Sequence, residues 1–181
     1  MRAIKTTIIS ILVLGLLASS AVGVAAQDEE ATAEVSSFTG TGTEGLEVLA
    51  EGTFEVNADG LNETVGNVYV ARFDSDDDRL TGDATITANW QFPDPSDGLS
   101  LLSTRTYELT NEGGSWVGQS HSLNADDLGV SVEMAVLTGQ GGYEGLTAYV
   151  HFDWNDDFTT NFSGVIFPGP GPEMPEPYAA E

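Results

Sequence analysis

Residues 137–154 read Leu-Thr-Gly-Gln-Gly-Gly-Tyr-Glu-Gly-Leu-Thr-Ala-Tyr-Val-His-Phe-Asp-Trp, and they predict two β-strands joined by a tight glycine turn. Gly139, Gly141 and Gly145 permit positive φ angles and close backbone approach. Tyr143, in the middle of the turn, is expected to cover the apolar surface that the glycines leave bare. We therefore interpret the stretch as a structural turn between two strands.

Short strands and turns continue on both sides of this stretch. Along residues 80–90, small and apolar side chains alternate with polar ones, which is typical of a strand with one buried face. Clusters of Asp, Asn, Gly and Pro separate such runs and indicate turns. We predict strands at residues 52–56, 65–73, 80–90, 99–110, 115–123, 130–137, 146–154 and 158–167.

Eight strands joined by short turns predict an all-β domain, a single antiparallel, mostly up-and-down β-barrel, because closure removes exposed strand edges. We assign this barrel to residues 37–167. The acidic residues 27–36 are expected to form a flexible lead-in. The Pro/Gly-rich residues 168–181 lack backbone donors and are expected to form a disordered tail.

Residues 1–26 have the pattern of a secretory signal peptide. Arg2 and Lys5 precede an apolar run at residues 8–17, and small residues precede Gln27. The apolar run is short for a membrane span, which needs about 20 residues. We therefore predict cleavage, export to the cell envelope or beyond, and no stable membrane insertion of the mature chain.

The charge of the chain excludes some partners. The formal net charge is −24, and cleavage would leave three arginines against all 29 acidic residues, a net charge of −26. Such a protein repels phosphate backbones, so we expect no nucleic-acid partner. The absence of cysteine excludes disulfides and thiol catalysis. The oligomeric state stays open.

Three segments in this order resemble a known group of barrels. They are the strand of residues 79–90, the hairpin segment Gly-Gly-Ser-Trp-Val-Gly at 113–118, and the glycine turn at 139–145. The chain resembles uncharacterised secreted bacterial proteins grouped with the allene-oxide-cyclase-like and dirigent-like β-barrels, which carry a similar turn. This resemblance implies an eight-stranded barrel with a central cavity. It does not carry over cyclase activity, because the catalytic residues cannot be matched position by position.

The strand at residues 99–110 carries candidate cavity residues. Arg105 and Tyr107 share one face, and if that face points inward Arg105 needs a buried carboxylate partner. Glu133, on a later strand, is the candidate partner. A cavity lined by these residues and Trp116 can orient a small polar-headed ligand. The alternative is a surface arginine paired with nearby acids.

Two turns carry alternating oxygen side chains, as calcium loops do, because Ca²⁺ takes six to eight oxygen ligands. Neither has the glycine and glutamate that the EF-hand pattern requires at its sixth and twelfth positions. We favour ordinary Asp/Asn-rich hairpin turns, with a weak calcium site as the alternative. The residues are Asp74, Asp76, Asp78, Asp153, Asn155 and Asp157.

The remaining side chains of interest are two histidines and three tryptophans. His121 and His151 are not closely spaced with each other or with a glutamate, whereas a zinc site usually takes three or four protein ligands, so we expect structural histidines. Trp90, Trp116 and Trp154 are expected to fill the barrel.

The sequence contains no nucleophile elbow, phosphate loop or dinucleotide fingerprint, so we expect no cofactor. The favoured hypothesis is a secreted, non-catalytic barrel that binds a small molecule or a surface partner. An enzyme of the cyclase or isomerase type, with a polar cluster inside the barrel, is the second hypothesis. An envelope structural protein with weak divalent-cation binding is the third.

Overall fold

The computed structural model describes residues 34–94, 96, 98–125, 129–155 and 157–174. The expected signal peptide, all but the last three residues of the expected lead-in, and residues 175–181 of the expected tail lie outside the described residues. Within the described part, no helix is long and apolar enough to cross a membrane.

The described chain forms nine β-strands and one short 3-10 helix at Asp78–Leu80. All strand pairings are antiparallel. The strands are β1 (Ser36–Ala50), β2 (Thr53–Val56), β3 (Asn62–Ser75), β4 (Gly82–Phe92), β5 (Leu101–Asn111), β6 (Gly114–Ala125), β7 (Val130–Gly141), β8 (Leu146–Trp154) and β9 (Thr159–Pro168).

The sheet closes into a barrel because β1 pairs with β9 along one edge and with β3 along the other. From β3 to β9, each strand pairs with the next one along the chain, and β2 pairs with β3 outside the closed ring. The prediction of a single antiparallel, up-and-down, eight-stranded barrel is therefore confirmed.

One barrel strand differs from the prediction. The strand predicted at residues 52–56 is the extra strand β2, and the eighth barrel strand is β1, which was not predicted. Glycines explain the difference, because a Cβ at Gly40 would lie 2.2 Å from the ring of Phe162 and one at Gly42 would lie 2.6 Å from the ring of Phe73. These glycines leave room for aromatic rings and give β1 no apolar alternation.

The predicted turn residue Tyr143 seals one end of the barrel, which we call the closed end. Its side chain is only 9 % exposed and its ring stacks on Trp116, with centroids 5.3 Å apart. Its hydroxyl donates a hydrogen bond to Oδ1 of Asn111 at 2.6 Å. Tyr143 therefore belongs to the core of the fold.

Three glycines shape the turn that holds Tyr143. Gly141 and Gly145 have φ angles of 65° and 83°, in the region that L-residues rarely adopt. A Cβ at Gly139 would lie 2.1 Å from the backbone oxygen of Tyr143. Each of the three glycines thus meets a conformational or steric requirement of the turn.

The half of the barrel next to the closed end is filled with aromatic rings. Tyr107 stacks on Phe152 with centroids 5.7 Å apart, and Phe73 meets Phe162 edge to face at 5.6 Å. The free space among the side chains there is about 10 Å³. This packing leaves the opposite half as the place for a cavity.

The start of the Pro/Gly-rich segment is held against the barrel. Pro168 ends β9, and the backbone N–H of Gly169 donates to the carbonyl of Gly145 at 2.8 Å. The hydroxyl of Thr147 donates to the carbonyl of Gly169 at 2.6 Å. The segment therefore begins with a short ordered stretch beside β8.

Candidate functional site

Glu133 on β7 is the centre of a buried polar cluster. Its side chain is 0 % exposed, and its carboxylate accepts hydrogen bonds from the hydroxyls of Tyr107 (2.5 Å) and Ser120. Its second oxygen accepts one from the indole N–H of Trp154 (2.7 Å) and lies 3.1 Å from Nη1 of Arg105. Donors from three strands thus offset the cost of burying this carboxylate.

Arg105 on β5 is shared between two carboxylates. Its Nη1 lies 2.5 Å from Oε1 of Glu44 and 3.1 Å from Oε2 of Glu133. The side chains of Arg105 and Glu44 are only 9 % and 8 % exposed. The guanidinium also lies over the ring of Trp154, 5.1 Å from its centroid, which is a cation–π contact. The structure thus brings together Arg105, Tyr107 and Glu133, which is the inward-facing one of the two alternatives that the sequence left open.

Glu44 is the site residue that the sequence did not reveal. It lies in β1 beside a register shift between Thr43 and Glu47, next to Gly45 with a φ angle of 70°. Its backbone N–H donates to the carbonyl of Phe158 at 3.0 Å. The irregularity in β1 therefore places the carboxylate of Glu44 beside Arg105. We use the name polar cluster for the six residues Glu44, Arg105, Tyr107, Ser120, Glu133 and Trp154.

The environment of Glu44 changes its acidity. Burial raises the pKa of its carboxyl from 4.5 to about 7, and the nearby Glu133 carboxylate acts in the same direction. Arg105 opposes this shift, as does a hydrogen bond from the hydroxyl of Tyr69 at 3.2 Å. Glu44 is therefore a carboxyl that can exchange a proton near neutral pH.

Two adjoining cavities lie at the end of the barrel opposite Tyr143, which we call the open end. Glu44, Trp90 and Phe158 line both. Their volumes suit a small organic molecule. The first cavity, of about 430 Å³, is further lined by Gly45, Val48, Ala50, Glu51, Asn67, Val68 and Tyr69. The second cavity, of about 460 Å³, is further lined by Phe92, Leu101, Arg105, Asn124, Ser131, Trp154 and Asn155.

Two buried donors at these cavities lack a hydrogen-bond partner within the described residues. They are Nε1 of Trp90 and Nε of Arg105. Buried N–H groups are almost always paired, and an unpaired one costs about 1–3 kcal/mol. Both residues line the second cavity, whereas the two N–H atoms themselves are covered by neighbouring atoms. A small turn of either side chain would bring its donor to an acceptor atom on a bound molecule.

Phe158, on the rim shared by the two cavities, has a strained backbone. Its φ angle of 63° is the only positive one among the described residues other than glycine. Its side chain is nevertheless 69 % exposed. A bulky residue in this region is rare, and such strain concentrates at functional sites.

Replacing Phe158 by glycine tests whether its backbone conformation is strained. We expect Phe158→Gly to leave the free energy of unfolding unchanged or to raise it by about 1 kcal/mol, because the left-handed conformation no longer carries a Cβ penalty. Phe54, which is 65 % exposed in the regular strand β2, is a matched control. Phe54→Gly should lower the free energy of unfolding, since glycine weakens a strand. Thermal unfolding of both variants checks this, and an equal loss in both would contradict it.

Trp116 was predicted to line the cavity, but it lines neither of the two cavities described above. It is 0 % exposed, and its indole N–H donates to the carbonyl of Arg79 at 2.7 Å, at the closed end. Trp90 and Trp154, expected to be plain core residues, are half-buried and line the cavities. The alternation of the strands could predict that these tryptophans point inward, but it could not predict how far along the barrel each of them lies.

The aspartate turns use their carboxylates for local structure. Asp76 accepts hydrogen bonds from the backbone N–H (2.7 Å) and the hydroxyl (2.9 Å) of Thr39. Asp157 accepts equivalent bonds from Thr159 at 3.1 Å and 2.6 Å, and Asp74 pairs with an arginine at 3.2 Å. In the described part of the chain, no group of three or more His, Asp or Glu side chains is arranged to hold a metal ion.

The two histidines lie outside the cavities. The register places His121 on β6 and His151 on β8 on either side of Met134. Their neighbours along each strand, Ser120 and Val150, point inward and are buried, so the histidines belong to the outer face.

No protein-family model matches this chain, and no curated protein matches it significantly. The resemblance to allene-oxide-cyclase-like and dirigent-like barrels therefore stays a prediction. The polar cluster and the two cavities are the features from which a function can be inferred.

Proposed function

We propose that the protein is an exported barrel that binds a small organic molecule in the two cavities at its open end. Export follows from the signal pattern at residues 1–26. The observation that carries the proposal is the pair of buried N–H donors, Trp90 Nε1 and Arg105 Nε, without partners in the described part of the chain. A ligand oxygen that accepts from either donor removes the cost of burying it.

The shape of the interior supports binding. One half of the barrel is filled, whereas the other half has room for an apolar molecule beside aromatic walls. Apolar residues of the cavity lining stay exposed, including Val48 at 63 % and Phe92 at 38 %. Exposed apolar surface next to a cavity is typical of a binding site. The ligand we expect has an apolar ring or chain and at least one hydrogen-bond acceptor.

A neutral fluorescent ketone, 6-propionyl-2-(dimethylamino)naphthalene (prodan), tests this proposal. Its carbonyl accepts hydrogen bonds and its emission reports the polarity of its surroundings. We expect saturable binding of one molecule, with emission shifted to the blue. Trp90→Phe keeps a ring but removes the donor, and it should raise the Kd roughly two- to tenfold, the value of one hydrogen bond.

Two further variants locate the probe. Ser131→Trp fills the second cavity and should abolish binding, whereas Tyr149→Phe, on the outer face of β8 between the buried Ala148 and Val150, should leave the Kd unchanged. The proposal fails if prodan does not bind, or if it binds Ser131→Trp and Trp90→Phe as it binds the parent.

A second function, an isomerase that moves a proton next to a carbonyl, is favoured by Glu44. This carboxyl lines both cavities and has a pKa raised to about 7, which suits general acid–base catalysis near neutrality. Arg105 lies beside it and can stabilise a developing enolate oxygen.

Deuterium exchange tests this second function. Glu44 would remove a proton from the methylene group next to the carbonyl of prodan, and return of a deuteron from D₂O would label that carbon. We expect the parent to accelerate the exchange and Glu44→Gln to lose the acceleration, as followed by mass spectrometry. If exchange proceeds only at the rate seen in buffer alone, the enzymatic function is wrong and the binding function stands.

A further inference from the structure

The open end carries more negative charge than its cationic groups offset. Within the polar cluster, the two carboxylates of Glu44 and Glu133 share one guanidinium, that of Arg105. The described lining of the first cavity adds Glu51 and contains no cationic side chain. The other described arginines, Arg72 and Arg79, pair with aspartates elsewhere.

The first cavity also has aromatic walls. Tyr69, Trp90 and Phe158 line it together with apolar side chains such as Val48. The faces of aromatic rings attract cations, most strongly where water is excluded. A carboxylate among aromatic rings is the chemistry that recognises an organic ammonium group.

We infer that the first cavity binds an organic cation, an ammonium group attached to an apolar ring or chain, with the carboxylate of Glu44 as its counter-ion. This inference rests on the proposed binding function and adds a cationic group of the ligand in the first cavity to the acceptor group expected in the second cavity. A metal ion fits the site poorly, because calcium takes six to eight oxygen ligands whereas this lining is mainly aromatic and aliphatic.

Two wider properties of the molecule favour the same ligand. The formal net charge of −24 raises the concentration of cations near the surface and repels anions. Burial, and to a smaller extent the Glu133 carboxylate, raise the pKa of Glu44, whereas Arg105 and the hydroxyl of Tyr69 lower it, so the ionised form is only partly offset by the groups around it. A bound ammonium group would supply the missing positive charge in place of a proton.

Calorimetry with three probes of matched skeleton tests the inference. They are 4-phenylbutylammonium, 4-phenylbutanol and 4-phenylbutanoate, each titrated into the mature protein at pH 8. We expect the ammonium probe to bind at least tenfold more tightly than the other two. Glu44→Gln should abolish this preference, whereas Glu55→Gln, at an exposed position on β2 outside the cavity lining, should keep it.

The pH dependence provides a test that needs no variant. The ammonium probe stays charged below pH 9, whereas Glu44 takes up a proton as the pH falls through about 7. The affinity of the protein for the ammonium probe should therefore fall about tenfold between pH 8 and pH 6. The affinity for 4-phenylbutanol should not change.

The outcomes separate this inference from the function on which it rests. If prodan binds but the three probes bind equally, or if Glu44→Gln keeps the preference for the ammonium probe, the cation inference is wrong and the binding function stands. If the affinity of the ammonium probe is flat from pH 8 to pH 6, Glu44 is not the counter-ion. Binding of prodan to Glu44→Gln shows that this variant is folded.

Discussion

Tyr143→Ala is expected to lower the free energy of unfolding by about 3–5 kcal/mol, the usual cost of truncating a buried aromatic residue. The side chain is 9 % exposed, stacks on Trp116 and closes one end of the barrel. Removing it opens a cavity against a ring that is otherwise fully buried. Chemical denaturation followed by circular dichroism measures the loss.

A milder variant at the same position separates packing from hydrogen bonding. Tyr143→Phe keeps the stacked ring and loses only the hydrogen bond to Asn111, so it should cost about 1 kcal/mol. Tyr143→Ala should leave the Kd for prodan unchanged at temperatures where the variant is folded, because Tyr143 lies at the end opposite the cavities. A variant that melts like the parent but loses the ligand would show that the turn is a binding loop.

Glu133→Gln is expected to lower the free energy of unfolding by about 1.5–3 kcal/mol, the usual contribution of hydrogen bonds to a charged group, although the two side chains have nearly the same shape. Each oxygen of Glu133 faces two donors: Tyr107 and Ser120 on one side, Trp154 and Arg105 on the other. The amide oxygen of glutamine can face the N–H groups of Trp154 and Arg105, so its NH₂ group faces the hydroxyls of Tyr107 and Ser120, which must turn and accept where they now donate. The change also removes the carboxylate that sits wholly inside the barrel beside Arg105.

Glu108→Gln is the matched control, because this glutamate is exposed on β5. Surface substitutions of this kind usually change stability by less than about 0.5 kcal/mol. Urea denaturation of the two variants compares them directly. Equal stabilities would mean that water or a rearranged Arg105 satisfies the donors, and that the polar cluster contributes little to the fold.

These two residues divide the barrel by role. Tyr143 and the rings beside it fill one end, and Glu133 fixes Arg105 beneath the cavities at the other. Because Glu133 is enclosed by donors, it holds the cluster in place, while Glu44 is the carboxylate that lines the cavities. The strained Phe158 binds the backbone of Glu44 through its carbonyl and completes the rim.

Local patterns in the sequence determined much of this architecture. Alternation with a period of two depends only on neighbouring residues, so the β character and the inward face of residues 80–90 could be predicted, and Ala84, Ile86 and Ala88 are indeed buried. The same alternation placed Arg105 and Tyr107 on one face but left open whether that face points inward. The cost of a buried charge then required a carboxylate partner, and Glu133 was a candidate.

The tertiary structure alone decided how the barrel closes and where it is hollow. Closure depends on the pairing of β1 with β3 and β9, which joins residues far apart in sequence, and the inward glycines of β1 give no apolar signal. Glu44 enters the site only through the irregular backbone of that strand. Whether an inward residue such as Trp116 or Trp90 meets a packed core or a cavity depends on its height along the barrel, which follows from strand register and not from alternation.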